Sequence, residues 1–244
     1  MRINWSKYLT LAGFFFCCGI SIAQKKDSKA DLLKMNETYS RANSYSMNIA
    51  VRVFEGKSAS TEPTAYSGIV KKSNDGYFSS MKGISVIVND HCSILVDDNQ
   101  KMIVYGTSAG KNPKQKDPGT QFSPVLDTAL FNKNQIELKS YGNGQETFKV
   151  LTPGNEFFEK MEVTLDISSY TLSEIIYYYK SSEDISGSKV IVNYSDVKLN
   201  KAMSASVFSE RAYIEKKGDK LHGIGKYVGY KLLDNTKAAE KKRH

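Results

Sequence analysis

The sequence predicts a mainly β protein of the α+β class. It reads as an incomplete, strongly curved antiparallel β-barrel of about ten or eleven strands, with an N-terminal helix and a short lid helix. Three observations point there. Apolar residues recur at every second position over most of the chain, the runs are separated by very short turn-forming groups, and helical spacing is confined to two places.

The first element is a leader. A basic stretch, MRINWSKYL, precedes a run from Leu9 to Ala23 that holds no charge. At about 1.5 Å per residue such a run is roughly 22 Å long, short of the hydrocarbon thickness of about 30 Å. Ser21 and Ala23 are small residues two apart, so residues 1–23 read as a secretory signal peptide cut after Ala23. Cys17 follows Phe16 and Cys18 follows Cys17, so neither has the small preceding residue that lipid attachment needs. Removal of the leader leaves Cys92 alone, which excludes an internal disulfide and makes a buried, small apolar role its expected one.

The net charge of +8 also divides along the chain. Arg2 and Lys7 carry two charges in the leader, and the last eight residues, KAAEKKRH, carry a net three. The remainder is an ordinary surface, and nucleic acid is not an expected partner.

Next, ADLLKMNETYSRANSYS places Leu32, Met35, Tyr39 and Ala42 at spacings of three and four, with Ser28 and Asp31 as a capping box. The period then changes. Met47, Ile49, Val51 and Val53 alternate with Ser46, Asn48 and Arg52, which is a strand with one apolar face. TAYSGIVKK, GYFSSMK, ISVIVND, CSILVDD and KMIVYG follow, divided by SNDG, NDH and DDNQ. Spacing this close allows hairpins and leaves no room for parallel crossovers. Farther on, FFEKMEVTLDIS puts Met161, Val163, Leu165 and Ile167 opposite Lys160, Glu162, Thr164 and Asp166, and LSEIIYYYKSS and GSKVIVNYSDV complete the series.

Two segments interrupt this meander. Residues 106–121 hold glycine, proline and lysine and almost nothing apolar, which is a surface loop. In SPVLDTALFNKNQ, Val125, Leu126, Ala129, Leu130 and Phe131 lie behind Ser123 and Pro124, a first-turn signature, so a short helix is expected there as a lid or as a plug of the barrel end. Residues 24–234 read as one domain and 235–244 as a charged, disordered tail.

The chain holds no convincing catalytic or metal motif. GTSAGK at 106–111 is one residue short of a phosphate loop, and GIGKYVG at 223–229 follows the strands instead of opening a βαβ unit, so chain bending accounts for its glycines. His91, His222 and His244 lack ligand spacing, and His91 and Cys92, adjacent on a strand, point to opposite faces. Asp97 and Asp98 suit a hairpin turn, and there is no Gly-x-Ser-x-Gly elbow. Tyr177 and Tyr179 share one face with Tyr178 on the other, as strand packing requires. No enzyme, cofactor or metal is expected. The pattern leaves an apolar interior that is either filled or open to a ligand.

In the order of its elements the chain resembles the outer-membrane lipoprotein carrier superfamily, the LolA-like proteins, and in particular secreted versions from Bacteroidetes. The stretches that carry the resemblance are ADLLKMNETYSRANSYSMNIAVRVFEG, SGIVKKSNDGYFSSM, ILVDDNQKMIVYG and KVIVNYSDVKLNKAMSASVFSERAYI, with a leader ending in SIAQ. The resemblance implies an incomplete eleven-stranded barrel closed by helices, whose apolar interior receives lipid chains. It also implies a periplasmic, non-enzymatic carrier or chaperone of lipid or lipoprotein acyl chains, served by a membrane-bound donor or acceptor protein. No position here is equated with the carrier's own acyl-binding residues. The expected lining is Met47, Ile49, Val51, Val53, Ile94, Val96, Ile103, Met161, Val163, Leu165 and Ile167, with Val125, Leu126, Leu130 and Phe131 as the lid. The alternative is an interaction module of an envelope assembly, or a sensing complex, with a filled barrel.

Overall fold

The computed structural model describes residues 27–54, 63–108, 135–180, 188–218 and 220–236. The leader, the expected lid helix and residues 237–244 of the tail lie outside them.

Helix α1 spans Ser28–Arg41. Its N-cap is Asp27, one residue before the serine that the sequence pattern selects, and the Asp27 carboxylate accepts hydrogen bonds from the backbone N–H groups of Lys29 and Ala30. A carboxylate suits this place because it meets both unsatisfied N–H groups and the positive end of the helix dipole. Leu32, Met35 and Tyr39 form the buried stripe, as their spacing predicts.

The strands are β1 Tyr45–Phe54, β2 Thr64–Ser73, β3 Gly76–Met81, β4 Ile84–Val88, β5 Cys92–Asp97 and β6 Met102–Thr107. After the 109–134 connection come β7 Ile136–Gly142, β8 Gln145–Leu151, β9 Phe158–Asp166, β10 Thr171–Tyr179 and β11 Lys189–Leu199. The chain then makes short 3-10 turns at Ala205–Phe208 and Glu210–Ala212, a hairpin of β12 Ile214–Lys217 and β13 Lys220–Gly223, a third 3-10 turn at Gly225–Tyr227, and β14 Lys231–Asp234.

Twelve strands form one strongly curled, unclosed sheet in the order β14-β6-β5-β4-β3-β2-β1-β11-β10-β9-β8-β7. This is the mainly β half-barrel expected. Two consecutive meanders, β1 to β6 and β7 to β11, are joined by antiparallel pairing of β1 with β11. The exception to hairpin order is β14, which pairs parallel to β6. The β7–β8 turn shows why the chain reverses there: Asn143 has φ 51° and Gly144 φ 74°, the two left-handed residues of a tight hairpin turn.

Side chains of the sheet divide into two buried clusters. The larger joins Leu32, Met35 and Tyr39 of α1 to Met47, Ile49 and Val51 of β1, Val70 of β2, and the inward residues of β8, β9, β10 and β11. The smaller joins Ile87, Cys92, Ile94, Val96 and Ile103 to Tyr213, Ile214 and Tyr227 of the C-terminal segment.

Candidate apolar binding face

Register decides which side of the sheet each residue occupies, because directly paired residues share a face. Met47 pairs with Val70, Val70 with Ser79, Ser79 with Val86, Val86 with Leu95, Leu95 with Val104, and Val104 with Leu233. The neighbouring row runs Ile49, Gly68, Met81, Ile84, Asp97, Met102 and Lys231. Both rows begin in the large core, on the face that carries α1, and we call this the inner face. On the other side, Val51 pairs with Val192, Val192 with Ile175, and Ile175 with Val163, so the inner face continues through β11, β10 and β9.

The expected lining residues therefore separate. Met47, Ile49, Val51, Met161, Val163 and Leu165 come together in the large core, at 2% exposure or less, and Val53 packs against it half-buried. Ile167 follows β9 in the turn, half-buried, and its N–H donates to the Gly144 carbonyl. Ile94, Val96 and Ile103 lie on the outer face, beneath the C-terminal segment, and do not share a cavity with the others. The physical reason is that β5 and β6 carry apolar residues on both faces, with Leu95 between Ile94 and Val96 and Met102 and Val104 either side of Ile103. Period-two alternation groups Ile94 with Val96, but it cannot say which side of the sheet they take. Val125, Leu126, Leu130 and Phe131 lie outside the described residues, on the connection between β6 and β7.

What alternation missed is the inner side of the same strands. Ile84, Val86, Leu95, Met102, Val104 and Leu233 belong to neither buried cluster. Val86, Leu95, Met102 and Val104 are half-buried, while Ile84 is 42% and Leu233 37% exposed. From Val86 to Leu233 the row crosses three strand spacings, about 14 Å. Leu95, between Ile94 and Val96, was the legible signal: in a two-sided strand the intervening residues are apolar as well.

The two ends of the inner face differ. At one, α1 fills the curl, with Lys34 Nζ 3.9 Å from the centre of the Tyr170 ring and Tyr39 edge-on to Tyr45. At the other, Phe158 stands edge-on to Tyr177 and Tyr179, and Lys82 lies 5.4 Å from the Tyr66 ring centre. Burial pushes the phenols of Tyr39 and Tyr177 up to about 12 and that of Tyr194 well above 10, so these rings sit in the inner face as neutral groups.

The outer face of β4, β5 and β6 is covered by Tyr213, Ile214, Leu221, Tyr227, Tyr230 and Leu232 of the C-terminal segment, which form its cap. Asn89 ties this cap down: its amide donates to the Phe208 carbonyl at 2.9 Å and to Glu210 Oε2 at 3.2 Å, while its Oδ1 accepts from the N–H groups of His91 and Cys92. Cys92 is buried as expected, and burial together with the Glu210 carboxylate pushes its thiol up to about 11. The glycines of GIGKYVG bend the cap: a Cβ on Gly223 would run into the Tyr227 carbonyl oxygen, and Gly225 and Gly229 have φ of 55° and 87°. A cleft of about 670 Å³ opens beside the cap, walled by Asp75, Asp90, His91, Ser206, Glu210 and Arg211. Among the described residues no three His, Cys, Asp or Glu side chains gather as a metal site.

No protein-family model matches the chain, and no curated protein matches it. Solved structures of similar fold include a LolA superfamily protein from Nitrosomonas europaea, 11% identical over 75% of this chain and 98% of that one, with a TM-score of 0.33. An uncharacterized conserved protein from Thermus thermophilus is 7% identical over 85% of this chain and 99% of its own, with a TM-score of 0.47. The lipoprotein LppX from Mycobacterium tuberculosis is 12% identical over 73% and 97%, with a TM-score of 0.41.

Proposed function

We propose that the protein is a non-enzymatic carrier or chaperone of the periplasm that holds an acyl chain of a lipid or lipoprotein against the inner face of its half-barrel. The observation that carries this reading is the row Val86, Leu95, Val104 and Leu233 with its neighbours Ile84 and Met102: six apolar side chains facing the inside of the curl and absorbed by neither core. An acyl chain laid across them gains about 0.8 kcal/mol for each methylene taken from water. Methionines at Met81 and Met102 adapt such a surface to chains of different shape. The leader that the sequence predicts, cut after Ala23, supports export, and a membrane-bound donor or acceptor would supply and receive the chain.

Native mass spectrometry of protein purified from its own compartment tests this. A bound lipid is expected, and Val104→Asp should remove it while leaving the circular dichroism spectrum unchanged. A chain that is always empty overturns the proposal.

One observation favours a second reading. The half of the inner face around α1 is solidly packed, with Met35, Ile49, Met161 and Leu165 at 1% exposure or less. A protein-interaction module of an envelope assembly would have such a filled barrel. Capture of one stable protein partner without lipid supports that reading over the first.

A further inference from the structure

The strand directions place charge unevenly along the inner face. The β3–β4 turn at Lys82–Gly83, the β5–β6 turn ending at Lys101, and the start of β14 at Lys231 all lie at the end away from α1. Lys231 is on the inner face, paired with Met102 and two residues from the exposed Leu233. Its N–H donates to the Lys101 carbonyl at 2.8 Å, which draws the two basic residues to one corner. Lys82 stands over Tyr66, an inner-face ring paired with Val51.

Two carboxylates near these lysines are already engaged. Asp97 Oδ1 accepts the N–H groups of Asn99 and Gln100 and so closes the turn. Asp98 takes Lys226 Nζ at 3.2 Å and the Tyr230 hydroxyl at 3.1 Å, toward the outer cap. Among the described residues, Lys82, Lys101 and Lys231 make no ion pair. The β2–β3 and β4–β5 turns at the opposite end carry Asp75 and Asp90, which wall the cleft beside the outer cap with Glu210 and Arg211.

Resting on the lipid-binding reading above, we infer that the bound lipid carries an anionic headgroup, a phosphate or a carboxylate, held at the end of the inner face that carries Lys82, Lys101 and Lys231, with its acyl chain across Val86, Leu95 and Val104. An anion at this end meets ammonium groups whose nearest carboxylates, Asp97 and Asp98, are held by the turn and by the cap. Each lysine near an anionic headgroup contributes enough for the set to favour an anionic over a neutral lipid by about tenfold.

The test uses the full chain with two amphiphiles of equal chain length: palmitoyl lysophosphatidylglycerol, which is anionic, and monopalmitoylglycerol, which is neutral. Inorganic phosphate alone is the third probe. Calorimetric titration should give about tenfold tighter binding of the anionic lipid. Lys82→Glu with Lys231→Glu should remove the preference and leave the neutral lipid's Kd unchanged, and the paired arginine variants should restore it. Phosphate alone should not bind, because the acyl chain supplies most of the affinity. Equal affinities in the parent protein, or a preference that survives charge reversal, overturn the anionic assignment while the acyl-binding reading stands. Failure of both lipids to bind, or a Val104→Asp variant that binds both as before, overturns the acyl-binding reading and this inference with it.

Discussion

The hydroxyl of Tyr39, in the last turn of α1, accepts a hydrogen bond from the backbone N–H of Leu172 at 3.1 Å. The pairing of β10 with β9 shifts register between Leu172 and Glu174, so the ladder opens at that point and the helix fills it. The contact fixes α1 against the sheet by a directional bond inside an otherwise apolar core.

Tyr39→Phe keeps the ring and removes the acceptor, leaving the Leu172 N–H buried without its partner. The expected loss of stability is about 1–3 kcal/mol. Urea unfolding should show a lower midpoint with an unchanged slope, because the buried area hardly changes.

The buried phenols set a pH limit. Tyr39 and Tyr177 are pushed up to about 12 by burial, against 10 for an exposed phenol. The folded protein keeps these protons where the unfolded chain releases them. Their contribution is fully present below pH 10 and is lost as pH rises through about 12. Stability measured by urea titration at pH 9, 10.5 and 11.5 should be flat and then fall, and the Tyr39→Phe variant should fall less steeply.

Adjacent residues on β5 should behave oppositely. Ile94, 1% exposed beneath the C-terminal cap, should cost about 2–5 kcal/mol when cut to alanine and leave lipid affinity unchanged. Leu95→Ala, on the inner face, should cost little stability and weaken acyl binding. Paired unfolding and lipid titrations of the two variants check the assignment of faces.

Asn89→Ala removes two donated hydrogen bonds that join the β4–β5 turn to the cap and two accepted ones that close the turn itself. A cost of about 2–4 kcal/mol is expected, together with partial release of residues 205–234. Alkylation of Cys92, followed by mass spectrometry of its peptide, should be slow at pH 8 in the parent protein, where the thiol is buried beneath the cap, and faster in the variant as release of the cap exposes it.

The sequence made some of this legible and hid the rest for definite reasons. The β1 stripe of Met47, Ile49 and Val51 was readable because its other face is polar, so alternation alone separates inside from outside. Ile94, Val96 and Ile103 were readable as one face, but which face depends on what covers β5 and β6. That cover is the C-terminal segment, whose strands β12, β13 and β14 are four residues each, too short for a period to emerge. The parallel placement of β14 has no hairpin signal. Asp27 and Ser28 both make good caps, and propensity does not choose between neighbours. The Asn143–Gly144 turn, by contrast, was a readable hairpin signal, although β7 itself is too exposed to show alternation.

Folding of this chain has an order imposed by its connections. Within β1 to β6, and again within β7 to β11, each strand pairs with its sequence neighbour, so both meanders can assemble from local contacts. Their union is different: Arg52 of β1 meets Asn193 of β11 across 141 residues. Closing so long a loop costs entropy before any contact rewards it, so the β1–β11 seam is the slow step, formed after two half-sheets already exist. Substitutions within either meander, formed before that step, should mainly slow refolding, while those at seam contacts made after it should mainly hasten unfolding.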